Sequence, residues 1–247
     1  MMRAFWWAVS VTVVIFSLPF SVIADSEEKP LRIATVALVP VGYKENGISK
    51  GLFYDIANRI AQRAGFSYVN TIKPYGRVVN DLKNGKSDAS IFGYNPNLEG
   101  KAKTIAPIVS LKIVLIANRG SSIIEARDLL GKSVGFIRGS RFMAQQILDD
   151  AKELIPITDF KQGLKMLKAN RFDVLVGSDL GLYSSMKLLG MKRSEFSQPY
   201  IVSSSQTYLY LSNHFADKKQ IKRLVTAAHE LKSTGEIDEI LEKYLGN

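Results

Sequence analysis

The chain has 247 residues, with 33 lysines and arginines against 23 aspartates and glutamates, a net charge of +10, and no cysteine. Without thiols, disulfides, thiolate metal sites and a lipid anchor on an N-terminal cysteine are excluded. The positive balance admits nucleic acid, an anionic membrane or acidic small molecules as partners, but the lysines are scattered rather than gathered in one block.

Met1-Met2-Arg3 supplies a positive charge, Ala4 to Phe20 is almost wholly apolar, and Val22-Ile23-Ala24 places small residues before a cut. This predicts a secretory signal peptide over residues 1–24, cleaved after Ala24. The alternative is an uncleaved membrane anchor, since the apolar run is nearly long enough to span a bilayer. Removing residues 1–24, which contain Arg3, leaves 223 residues with 32 basic and 23 acidic side chains, a net +9. That length suits one large domain or two lobes of roughly 100 residues each. Export without disulfides fits a periplasmic location and argues against nucleic acid.

In the exported part, Leu31 to Val36 predicts a strand, followed by a loop at Pro40-Val41-Gly42-Tyr43. Leu52, Phe53, Ile56, Ala57, Ile60, Ala61 and Ala64 recur at helical spacing, and Gly65 stops that helix. A strand at Ser67 to Thr71, a helix from Gly76 to Asn84 and a strand opened by Asp88 follow. Strand and helix alternate, which predicts a parallel sheet covered on both faces. The pattern then restarts, with strands at Ile113 to Ala117 and Ser133 to Ile137 and a helix from Phe142 to Ala151. Thr158 is positioned to cap a helix carrying Phe160, Leu164, Met166 and Leu167. Asp173 to Val176, a helix from Leu180 to Leu189, a strand at Thr207 to Leu211 and two final helices complete the chain. The run Lys218-Lys219-Gln220-Ile221-Lys222-Arg223 fits a solvated helix face.

Machinery for catalysis is sparse. The two histidines, His214 and His229, both lie in the C-terminal segment, and no His or carboxylate cluster has metal-ligand spacing. Neither a dinucleotide fingerprint nor a phosphate loop is present. No catalytic residue, metal site or cofactor is predicted. Polar and aromatic residues instead gather at strand ends: Tyr43, then Tyr75 and Arg77, then Tyr94 and Asn95. Arg138-Gly139-Ser140-Arg141 lies between a strand and a helix, where free N–H groups suit an anion. Aromatic walls with a few placed polar groups describe a small-molecule pocket.

Five ordered segments carry a resemblance. They are Gly51-Leu52-Phe53-Tyr54-Asp55-Ile56-Ala57, Leu82-Lys83-Asn84-Gly85-Lys86-Ser87-Asp88, Asp128 to Gly135 with Arg138-Gly139-Ser140, Leu167 to Asp173, and Gly235 through Tyr244. In this order they resemble the periplasmic solute-binding proteins of amino-acid-type ABC transporters, as a divergent branch, across essentially the whole exported chain. The resemblance implies a two-lobed α/β fold, with two crossover strands as hinge and a ligand cleft between the lobes. One lobe would take residues 25–117 plus 206–247 and the other 118–205.

For the site, the resemblance implies that Tyr43 stacks on the ligand and Ser140 contacts its carboxylate. The family's amine-binding acidic residue falls on Ser178, with Asp179 one place on. Its carboxylate-gripping arginine falls on Gly100, beside Lys101, and Arg77 is a second candidate for that charge. The function implied is capture of a small polar solute, an amino acid or related carboxylate, by a monomer that hands it to an inner-membrane ABC permease. A ligand-sensing partner of a membrane receptor is the alternative. A dehydratase-like exported enzyme on the same fold is a third reading.

Overall fold

The computed structural model describes residues 28–121, 126–141, 145 and 149–245. The signal peptide and most of the helix predicted over residues 142–151 lie outside the described residues. One eight-stranded mixed sheet runs through both lobes in the order β4 (Tyr68–Lys73), β1 (Leu31–Val36), β5 (Ala89–Gly93), β10 (Tyr200–Ser212), β6 (Ala102–Ala117), β9 (Val174–Ser178), β7 (Ser133–Ile137), β8 (Glu153–Ile157).

Strand β1 (Leu31–Val36) pairs in parallel with β4 (Tyr68–Lys73), from Leu31 opposite Tyr68 to Val36 opposite Lys73, and with β5 (Ala89–Gly93) at Ile33 opposite Ala89. Only Arg32 in β1 is exposed, as expected for a strand covered on both faces. Arg32 is held by Asp88, whose carboxylate accepts from its backbone N–H at 2.8 Å and from Nε at 2.9 Å.

Helix α1 (Leu52–Arg63) buries Leu52, Phe53, Ile56, Ala57, Ile60 and Ala61 on one face, and a fully buried Ile56 contributes roughly 1.5–3 kcal/mol. Beyond it, Gly65 adopts φ +73° and Phe66 N donates back to Ala61 O at 2.9 Å. This left-handed ending is cheapest for glycine. Helix α2 (Tyr75–Lys83) covers the opposite face, where Val78 and Leu82 meet Phe92 and Tyr210.

Strands β6 (Ala102–Ala117) and β10 (Tyr200–Ser212) pair antiparallel along nearly their whole length and cross from one lobe to the other. In the first lobe β10 also pairs with β5; in the second, Ile113 to Ala117 of β6 pair with β9 (Val174–Ser178). Strand β9 adjoins β7 (Ser133–Ile137), and β7 adjoins the edge strand β8 (Glu153–Ile157). The sequence predicts only the apolar ends of β6 and β10, because Lys103, Lys112, Ser203 and Ser204 in their outer stretches are exposed. It also misses β8, whose Pro156 is tolerated because an edge strand needs fewer ladder donors. A further hairpin begins at the last residue of the predicted loop: β2 (Tyr43–Glu45) and β3 (Ile48–Lys50) turn through Asn46 and Gly47, both at positive φ.

Helices α3 (Phe160–Lys168) and α4 (Asp179–Leu188) cover the second lobe. Asp159, not Thr158, caps α3: its side chain accepts from Gln162 N at 2.8 Å, while Thr158 donates to the Gln162 side chain. Helices α5 (Lys218–Ser233) and α6 (Glu236–Leu245) return to α1. Lys218, Lys219 and Lys222 face solvent, while Arg223 lies over Phe66 and donates to Ala64 O and Gly65 O.

Candidate functional site

The cleft between the lobes is open to solvent and, with that open space included, spans about 790 Å³. The first lobe contributes Val36, Leu38, Val41, Phe53, Tyr75, Phe92 and Gly93. The crossover ribbon adds Leu111, Ile113, Ser205 and Thr207, and the second lobe adds Ile137, Ser140, Phe160, Val176, Gly177 and Ser178. Leu38 and Tyr75 pack against the apolar cores of both lobes, so the lobes meet as well as face each other. Gly139 lies at that meeting point with φ +88°, and a β-carbon there would sit 3.4 Å from Tyr75 Cδ1.

Tyr75 is held in the cleft wall by its ring and by its hydroxyl. Its ring meets Phe92 edge-on at 6.0 Å, and Phe92 stacks on Tyr210 at 4.7 Å. Its hydroxyl accepts from Asn95 Nδ2 at 3.1 Å, and burial pushes the phenol well above its ordinary range. Tyr75 therefore stays protonated and retains its proton as a hydrogen-bond donor.

Asn95 is 2% exposed but supports the cleft wall from behind. It donates to Tyr75, accepts from Asn97 N at 2.9 Å to cap a short turn of helix, and its own N–H reaches Tyr210 Oη at 3.3 Å.

Among the predicted site residues, the structure brings Tyr75, Ser140 and Ser178 together at the cleft. Ser140 Oγ donates to Ile137 O at 2.8 Å, and Ser178 Oγ accepts from Gly181 N at 3.2 Å as the cap of α4.

The other predicted residues lie elsewhere. Tyr43 lines a separate pocket beside Asp159 and Lys161, under Lys50 Nζ at 5.4 Å from its ring. Tyr94 is 50% exposed and donates outward to Glu99. Arg77 and Arg138 are exposed and outside the cleft lining; Arg141 pairs with Asp149 at 3.1 Å on the surface. Lys101 is exposed beside Lys83, whose ammonium it pushes to lower pKa. Asp179 turns its carboxylate to Leu180 N at 2.7 Å and lines a second pocket with Tyr183, Arg193 and Tyr244.

Sequence reasoning misses Leu38, Val41, Phe53, Phe92, Phe160 and Val176 as cleft residues. In sequence Phe53, Phe92, Phe160 and Val176 carry only the signal of core side chains, and Leu38 and Val41 only that of apolar residues after a strand. Phe160 takes its place through glycine: a β-carbon on Gly177 would lie 2.4 Å from Phe160 Cε1, and one on Gly181 would lie 2.3 Å from Phe160 Cε2. Among the described residues, no group of three or more His, Asp or Glu is placed to hold a metal ion.

No family model matches the chain. A putative sensor protein of Shewanella frigidimarina (strain NCIMB 400) is 23% identical over 216 residues, covering 84% of this chain and 32% of that protein. The arginine-binding extracellular protein ArtP of Bacillus subtilis (strain 168) is 26% identical over 168 residues, 64% of each chain. The chain thus matches less than two thirds of the length of either relative. Among solved structures, an ancestral arginine-binding protein bound to arginine superposes with TM-score 0.77 at 21% identity, over 89% of this chain and all of that one. A histidine kinase sensor domain with similarity to periplasmic binding proteins also gives 0.77, at 16% identity over 89% of this chain and 97% of that one. The chain has the two-lobed α/β fold of the periplasmic binding proteins, and its structural neighbours include amino-acid substrate-binding proteins of ABC transporters.

Proposed function

We propose that this chain is a non-catalytic, monomeric solute-binding protein outside the cytoplasm that closes two lobes on a small solute of amino-acid size and hands it to an inner-membrane ABC permease. The observation that carries this reading is the cleft, walled by both lobes and by the β6–β10 ribbon that joins them. The moving units are residues 25–117 with 206–247, and residues 118–205, hinged on that ribbon. The arginine-binding relative and the arginine-bound neighbour support a solute in the amino-acid size range.

A thermal-shift screen with amino acids, short peptides, organic acids and neutral metabolites tests it, since a ligand that binds only the folded chain raises its melting temperature. No shift with any of these, together with unchanged small-angle scattering, would sink the proposal.

The match to the sensor protein favours a second reading, in which the closed form signals to a membrane receptor. Co-purification with a kinase rather than a permease separates the two.

A further inference from the structure

Five hydroxyl-bearing residues, Tyr75, Ser140, Ser178, Ser205 and Thr207, line the cleft, and among the described residues no lysine, arginine, histidine, aspartate or glutamate lines it. Building on the solute-binding reading above, we infer that the solute is an uncharged, largely apolar molecule carrying one or two hydroxyl or amide groups, and not a zwitterionic amino acid.

Three observations converge on this. First, a free amino acid would bring a carboxylate and an ammonium into a closed site, and ions taken from water need opposite charges or several hydrogen bonds to replace their hydration. The nearby charges lie outside this lining: Asp179 and Arg193 in the pocket beyond Leu111, Asp159 and Lys161 in the one beyond Leu38 and Phe160, while Arg141 is paired with Asp149, Lys101 sits beside Lys83, and Arg77 and Arg138 face solvent.

Second, two of the three helix N-termini at the cleft are already occupied by the chain itself; at the start of α3, Asp159 takes the N–H of Gln162. At the start of α4, Asp179 takes the N–H of Leu180 and Ser178 takes the N–H of Gly181. At these two, an incoming carboxylate would find donors already used and a resident negative charge beside them.

Third, the polar groups present suit neutral partners. Tyr75 accepts from Asn95 and has its own proton to give, Ser178 has its proton to give, and Ser140 has an acceptor site left. Thr207 is spent on Val109, accepting from its N–H and donating to its carbonyl. A hydroxyl or amide can match two or three such groups, while Leu38, Val41, Phe92, Phe160 and Val176 cover its apolar body.

The test is calorimetric titration of the purified protein with indole, 2-phenylethanol and isovaleramide as uncharged probes, against L-leucine, L-phenylalanine, L-arginine and isovalerate as charged ones. At least one uncharged probe is expected to bind ~tenfold tighter than any charged probe, with an affinity insensitive to added salt. Ser205→Phe, which fills the cleft, should reduce that binding at least ~tenfold. Val41→Phe, filling it from the other lobe, should do the same, and urea midpoints show that each variant is folded. Tighter binding of leucine, phenylalanine, arginine or isovalerate overturns the inference and leaves the solute-binding reading standing. Binding that survives both folded variants places the ligand elsewhere and overturns it as well. Silence from every probe and from the wider screen removes the solute-binding reading, and this inference with it.

Discussion

Asn95 Nδ2 donates to the phenolic oxygen of Tyr75 across 3.1 Å, so the loop after β5 holds a wall of the cleft from behind. Removing either partner leaves a buried polar group unmatched, at a cost of about 1–3 kcal/mol. Tyr75→Phe and Asn95→Ala should each lower the urea unfolding free energy, Asn95→Ala by more because it also releases Asn97 N. The double variant should lose less than the sum of the two. Strict additivity would show that the pair is not coupled.

Gly139 stands at the contact between the lobes with φ +88°. Gly139→Ala should destabilise the fold by about 1 kcal/mol, since a β-carbon disfavours this backbone region. It also adds an atom 3.4 Å from Tyr75 Cδ1. That is an ordinary van der Waals distance, so small-angle scattering should give an unchanged radius of gyration and the loss should appear in stability alone. A larger radius would mean that the lobes close more tightly at this contact than the structure shows.

Gly177→Ala would set a β-carbon 2.4 Å from Phe160 Cε1. Overpacking of this kind costs about 1–3 kcal/mol. Thermal denaturation should show the loss, and adding Phe160→Leu should restore part of it by removing the crowded ring edge. If the second change deepens the loss, the crowding is not at Phe160.

Arg77 and Lys101 lie outside the cleft lining. Arg77→Ala and Lys101→Ala should each leave the affinity for the bound solute within about twofold, because exposed charges contribute little to buried recognition. Calorimetry reads the outcome directly. A loss of ~tenfold or more in either variant would mean that the solute carries an anionic group which that side chain reaches.

The carboxylate of Asp173 accepts from Ser133 N and Ser133 Oγ, both at 2.8 Å, and these bonds hold its pKa below the ordinary aspartate value. A depressed pKa contributes stability that is present above the unfolded-state value and is lost as pH falls through the folded one. Asp173→Asn should thus be less stable than the parent near neutral pH, by roughly 1 kcal/mol or less given the exposure of the pair. The gap should narrow in acid, below about pH 4. A gap independent of pH would assign the loss to shape rather than charge.

Much of the architecture is legible in the chain. Strands Leu31–Val36 and Ser133–Ile137 match their predicted bounds, and the helix through Ile56 and Ile60 stops at Gly65 as its spacing implies. The hairpin at Asn46-Gly47 carries a two-residue turn signal that goes unread because its strands are only three residues each. Strand β8 goes unread because Pro156 interrupts it. The ribbon is half legible, since its hinge stretch alternates in exposure and lacks the continuous apolar run of a buried strand.

Periodicity and turn chemistry by themselves determined the alternation of strand and helix and the restart that makes two lobes. They report only the environment along a single element. Tertiary structure alone decided the character of the cleft. It turned Tyr94 outward to Glu99, used Asn95 as a support, and stationed the charged candidates outside the lining. It also brought Leu38, Phe92, Phe160 and Val176, from four separate segments, to face one space. A side chain lining an apolar cleft and one filling a core are made of the same atoms. The two become distinguishable only when the opposing lobe is in place.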